Sequence, residues 1–224
     1  MKPGTLIARI FYATAMFTLL LVLAAPVNAE QDLFRKALKS DKQGFLNDAV
    51  ADWQKFLASQ PEKDRRIFAQ IKLSIVYLKL EQPRKALDTA KELLNFAPDN
   101  FHANFNAGNV LSGLRNYADA AKAYQTTVRL NPDKGLGYVG LALCRFGNKN
   151  PDKAIALLRE AKSVFKKKKN ISWHRDTRIM INQIRTFEKY PPNFSNLWLT
   201  NNLKTVRETY EKRILRKFRK SLTR

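Results

Sequence analysis

The 224-residue sequence contains one cysteine, Cys144, and two histidines, His102 and His174. A single thiol excludes an intrachain disulfide and a cysteine-based zinc site, so apolar packing alone must hold the fold. Neither histidine has a second metal ligand at helical spacing; Asp176 is close to His174 in sequence but on another helix face. Phosphate-binding glycine loops and nucleophile motifs are missing as well. These absences predict a protein without catalytic residues, metal or cofactor. Acidic residues are scarce too, 19 Asp and Glu against 41 Lys and Arg, which gives a formal net charge of +22. The shortage is local. Glu30 to Pro132 holds 16 basic and 12 acidic residues, whereas Asp133 to Arg224 holds 23 and 7. Such asymmetry reads as a surface for anionic partners: lipid headgroups, nucleic acid or an acidic protein.

Long hydrophobic runs are confined to Ile10–Ala25. Lys2 and Arg9 are the only charges among residues 1–29, and Val27-Asn28-Ala29 offers small residues for cleavage before Glu30. The expectation is a secretory signal peptide, hence an exported, periplasmic or envelope-associated protein. An uncleaved inner-membrane anchor over 1–29 and an organelle transit peptide are the competing readings. The 45% hydrophobic content of the chain is that of a globular protein.

What the sequence does have is a repeat. Ala49, Trp53, Phe56 and Pro61 recur at identical spacing as Ala86, Ala90, Leu93 and Pro98, and again as Ala120, Tyr124, Thr127 and Pro132. Ala154, Leu158 and Ala161 begin a fourth copy, with Lys166 in the proline position. Pro98 and Pro132 are 34 residues apart. Small residues let paired helices approach, bulky ones fill the space between pairs, and each proline ends one unit and opens the next.

These residues resemble the tetratricopeptide repeat family over about Asp32 to Phe165, most clearly at Ala107-Gly108, Asn116-Tyr117, Ala120, Tyr124 and Leu130-Asn131-Pro132. Ala37 and Ser40 stand where the first copy would carry glycine and tyrosine. The resemblance implies an all-α fold, an α-α superhelical solenoid of about four hairpins (near 30–63, 67–100, 101–134 and 135–166). Residues 166–224 would form a basic appendage containing two further helices.

The resemblance also implies a concave wall made from the first helix of each hairpin. Carried over position by position, that wall presents Phe68, Ile71, Lys72, Ile75 and Lys79, then His102, Phe105, Asn106 and Asn109, then Leu136, Val139, Gly140 and Leu143. Asn106 and Asn109 would hydrogen-bond the backbone of an extended protein or peptide partner. The alternative is a wall filled by the chain's own C-terminal segment. A carboxylate-clamp groove is disfavoured, because Ile71, Leu136 and Gly140 occupy places that need charged or amide groups.

Beyond the lysine run 166–169, Ser172–Lys189 reads as a helix able to cover the last hairpin, stopped by Pro191-Pro192. Leu203, Val206, Tyr210, Ile214 and Phe218 recur at intervals of three and four, defining one apolar helix face. Around them lie Lys204, Arg207, Lys212, Arg213, Arg216, Lys217, Arg219 and Lys220. This cationic amphipathic helix has two possible mates, an anionic membrane surface or the solenoid itself. Nucleic acid is disfavoured, since no recognised binding motif accompanies the charge.

Overall fold

Helical hairpins account for most of the chain. The computed structural model describes residues 29–191 and 193–223, and among these there is no strand. The leader assigned to residues 1–29 lies, but for Ala29, outside the described residues. No helix among the described residues is long and apolar enough to cross a membrane. The chain divides into two units at Glu62/Lys63.

In the first unit, α1 (29–43) and α2 (Leu46–Ala58) form a hairpin. Phe34, Trp53 and Phe56 make an aromatic cluster with ring centroids 5.2 to 6.1 Å apart. Ser40, replacing an aromatic residue, donates to the buried Asp52 carboxylate at 2.6 Å, and Lys36 pairs with the same group at 2.8 Å. Burial pushes the Asp52 carboxyl up, but Lys36 and Ser40 outweigh it and hold it below the usual range.

The second unit contains three hairpins: α3 (Lys63–Lys79) with α4 (Pro83–Phe96), α5 (Phe101–Gly113) with α6 (Tyr117–Leu130), and α7 (Gly135–Gly147) with α8 (Pro151–Lys167). Each helix packs on the next, and the first helices also meet one another, α3 with α5 and α5 with α7, forming an inner wall. Gly44, Glu81, Arg115 and Lys149, the residues between the helices of each hairpin, all have positive φ, from 56° to 81°. The following N–H closes a six-residue ring onto the end of the first helix, as in Gln82 N to Tyr77 O (2.9 Å) and Asn150 N to Arg145 O (3.0 Å). This is a Schellman stop, which three of the four copies build without glycine. Asn100, Asn116, Asn150 and Asn170 cap the following helices with their side-chain oxygens.

The repeat's large residues are matched by its smallest. A Cβ built on Gly108 or Gly140 would come within 2.8 or 2.6 Å of the Tyr124 ring, so α5 and α7 receive this tyrosine only where they lack side chains. Gly140 thus faces the seam between hairpins, not the concave surface.

A ninth helix, α9 (Ile171–Arg185), covers α8, and a 3₁₀ turn at Phe187–Lys189 ends the expected Ser172–Lys189 helix early. The chain then forms one long helical element from α10 (Phe194–Thr209) through a π-helical segment (Tyr210–Leu215) into α11 (Arg216–Leu222). Its α10 part packs on α7 and α5, and α11 on α3. The C-terminal helix therefore crosses the inner wall of all three hairpins.

Candidate functional site

The inner wall and the C-terminal helix together form the site. Trp198 starts the docking: its ring stands edge-on to Phe146 and Phe187, at 5.2 and 5.0 Å, and its Nε1 donates to Gln183 Oε1 at 2.9 Å. At the centre, Tyr210 is wholly buried and stacks on Phe105 with centroids 4.4 Å apart. His102 stacks on Phe218 at 4.3 Å, and its Nδ1 lies 3.0 Å from the Tyr210 hydroxyl. Phe68 completes the aromatic row 6.1 Å from Phe218. Stacked aromatic pairs of this kind contribute roughly 0.5–1.5 kcal/mol beyond area burial.

Charge closes the interface on the α3 side. Lys72, a nearly buried ammonium, binds Glu211 at 3.0 Å, and Lys79 reaches the same oxygen at 3.4 Å. Burial raises the Glu211 pKa, but Lys72 and then Lys79 more than offset this and hold the carboxyl below its ordinary range. Arg65 donates to the Leu222 carbonyl at 3.5 Å near the end of the helix.

The residues expected to line a groove thus separate into two groups. Phe68, Lys72, Lys79, His102 and Phe105 face the chain's own helix. Ile71, Ile75, Val139 and Leu143 are buried core. Asn106 and Asn109, expected to read a partner's backbone, are 1% and 4% exposed and already engaged. Asn106 Nδ2 donates to Ser74 Oγ at 2.9 Å, and Asn109 Oδ1 accepts from the Tyr124 hydroxyl at 2.8 Å. They are structural because α5 is turned so that Asn106 lies between hairpins, against α3, and Asn109 lies within its own hairpin, against α6.

On the C-terminal helix, Leu203, Val206 and Tyr210 are buried as the amphipathic pattern predicts, but the next deeply buried residue is Leu215, with Ile214 half-buried. The π-helical segment causes this. It adds a residue to one turn and rotates the apolar face forward by one position. Trp198 and Leu199 were also outside the sequence-derived stripe, although both are buried. Of the basic residues, Lys204, Lys212, Arg213, Arg216, Lys217 and Lys220 are exposed, while Arg207 and Arg219 are half-buried. Lys212 pairs with Glu208 at 3.4 Å.

Two groups are set chemically by burial. His102 is pushed down to about 4, chiefly by desolvation and then by the Lys134 charge, so its imidazole is neutral at pH 7. The Cys144 thiol is pushed up to about 12 by burial and is inert as a nucleophile. No group of three or more His, Cys, Asp or Glu suited to a metal occurs among the described residues.

Comparison with known proteins agrees with this architecture. Residues 105–167 match the family model described as tetratricopeptide repeat. Among solved structures, a MamA RS-1 double mutant superposes with a TM-score of 0.58 at 17% identity, covering 82% of this chain and 97% of that one. MamA from Desulfovibrio magneticus RS-1 gives 0.56 at 18% identity, with 86% and 96% covered. YrrB, described as a TPR protein with an unusual peptide-binding site, gives 0.52 at 18% identity, with 71% and 80% covered. Residues 105–167 therefore carry the tetratricopeptide repeat signature, and the chain shares its helical-hairpin fold with these solved proteins.

Proposed function

We propose that this chain is a non-catalytic, exported adaptor that holds a segment of another protein and assists assembly of an envelope complex. The observation that carries the reading is the inner wall itself, which receives an amphipathic helix through an aromatic row and a lysine pair. A wall with that chemistry is suited to protein segments. The peptide-binding site named for the similar YrrB fold supports the same class of partner. Because the C-terminal helix occupies the wall, a partner meets the concave side through that helix's outer, cationic face, unless it displaces the helix. The same face suits an anionic membrane surface.

Site-specific photo-crosslinking in the native host tests this reading. A crosslinker at Lys204 or Lys212, on the outer face of the C-terminal helix, should capture a discrete protein that a crosslinker at Arg159 on α8 does not. Identical patterns at both positions would remove the adaptor role. A second reading, a membrane-tethered structural component, is favoured by the self-filled wall. The mass of the mature protein separates the two: a start at Glu30 fits the exported adaptor, and retention of Met1 fits the tether.

A further inference from the structure

Between the inner wall and the C-terminal helix lies a cavity of about 760 Å³, open to solvent and within the size range of ligand-binding clefts. Its floor is apolar, built from Phe101, Leu136, Phe165 and Trp173 of the solenoid and from Ile214 and Phe218 of the helix. Four cations line it, Lys134, Lys168, Arg213 and Lys217, against one carboxylate, Asp133. That carboxylate is already held by Lys168 at 2.8 Å. No carboxylate among the described residues lies within ion-pair distance of Lys134, Arg213 or Lys217. Like charges gathered around a concave apolar surface focus a potential of their own sign there and raise the local concentration of counter-ions, here anions.

We infer that this cavity binds an acidic peptide segment bearing apolar side chains, supplied by a partner protein. Charge complementarity requires the acid, and the aromatic floor requires the apolar groups. The lining also carries the Asn131 amide and the Thr209 hydroxyl. An acyl chain would desolvate these groups without pairing them, whereas a peptide backbone offers both donors and acceptors. The inference deepens the adaptor reading by naming the chemistry of its partner, and it rests on that reading.

The test is fluorescence anisotropy on the full chain with a labelled hexapeptide alternating aspartate and phenylalanine. The expected result is saturable binding that a lysine-phenylalanine peptide does not reproduce and that palmitate does not displace. R213E/K217E, two exposed positions on the cavity, should weaken binding by about tenfold or more, in line with the effect of placing like charges across an interface. R216E/K220E, equally charged but off the cavity, should leave it unchanged. Circular dichroism confirms that both variants keep the fold. Absent binding, an equal loss in both variants, or displacement by palmitate would each overturn the inference. Failure here with a discrete crosslink at Lys204 would leave the adaptor reading standing, so the two outcomes are distinguishable.

Discussion

The seams between hairpins and the surface under the C-terminal helix are both buried, yet they are built differently. A seam is steric: Tyr124 fits because Gly108 and Gly140 have no Cβ in its way, and Ala120 closes the approach of its partner helix. The surface under the C-terminal helix is chemical. It combines stacked rings at Phe105–Tyr210 and His102–Phe218 with a lysine pair on Glu211. The first kind of contact follows the repeat; the second lies outside it. Their energetics should differ accordingly, with seam variants acting through volume and wall variants through charge and aromatic contact.

The largest expected break falls on the wall. Tyr210→Ala removes a wholly buried ring and should cost about 3–5 kcal/mol in urea unfolding. Hydrogen exchange should rise in residues 200–218 while α7 and α8 remain protected. Acid attacks the same place. His102 titrates near 4 in the folded chain but ordinarily near 6.5, so the unfolded chain takes up the proton first. Stability should therefore fall as pH drops from about 6.5 to 4, by up to about 3 kcal/mol, and His102→Gln should flatten that slope in thermal melts.

A smaller effect tests the seam. Gly140→Ala places a methyl group 2.6 Å from the Tyr124 ring and should destabilise by about 1–3 kcal/mol, although alanine favours the helix. Tyr124→Phe does not relieve it, since the clash is with ring carbons. The lysine pair gives a double-mutant cycle: Lys72→Met and Glu211→Gln should couple by about 1–2 kcal/mol, because Lys72 is nearly buried and Glu211 only partly so. The smallest change is favourable. Arg115→Gly relieves a left-handed backbone at φ 60° and should stabilise by about 0.5–1 kcal/mol in chemical denaturation.

The seam was legible in the sequence because its rule repeats. Ala86, Ala120 and Ala154 keep register with Leu93, Thr127 and Ala161, and periodicity alone separates the hairpins. The wall was legible only in part. Its residues follow from the family pattern, but which of them face outward depends on small helix rotations. Such a rotation turns Asn106 toward Ser74 and Asn109 toward Tyr124. The amphipathic stripe ending in a helix was visible from Leu203 to Tyr210; the π-helical turn that replaces Ile214 by Leu215 has no signal in a 3.6-residue period. Glu211 carried no signal of its mates in the sequence, because Lys72 and Lys79 come to it only through the fold.

Amide hydrogen exchange of the intact chain at pH 7 tests the central claim most directly, that the C-terminal helix lies in the concave wall. The account predicts that residues 200–218 exchange as slowly as α5, the wall helix beneath Tyr210. Exchange of that stretch at the rate of unprotected peptide, with α5 still protected, would contradict it.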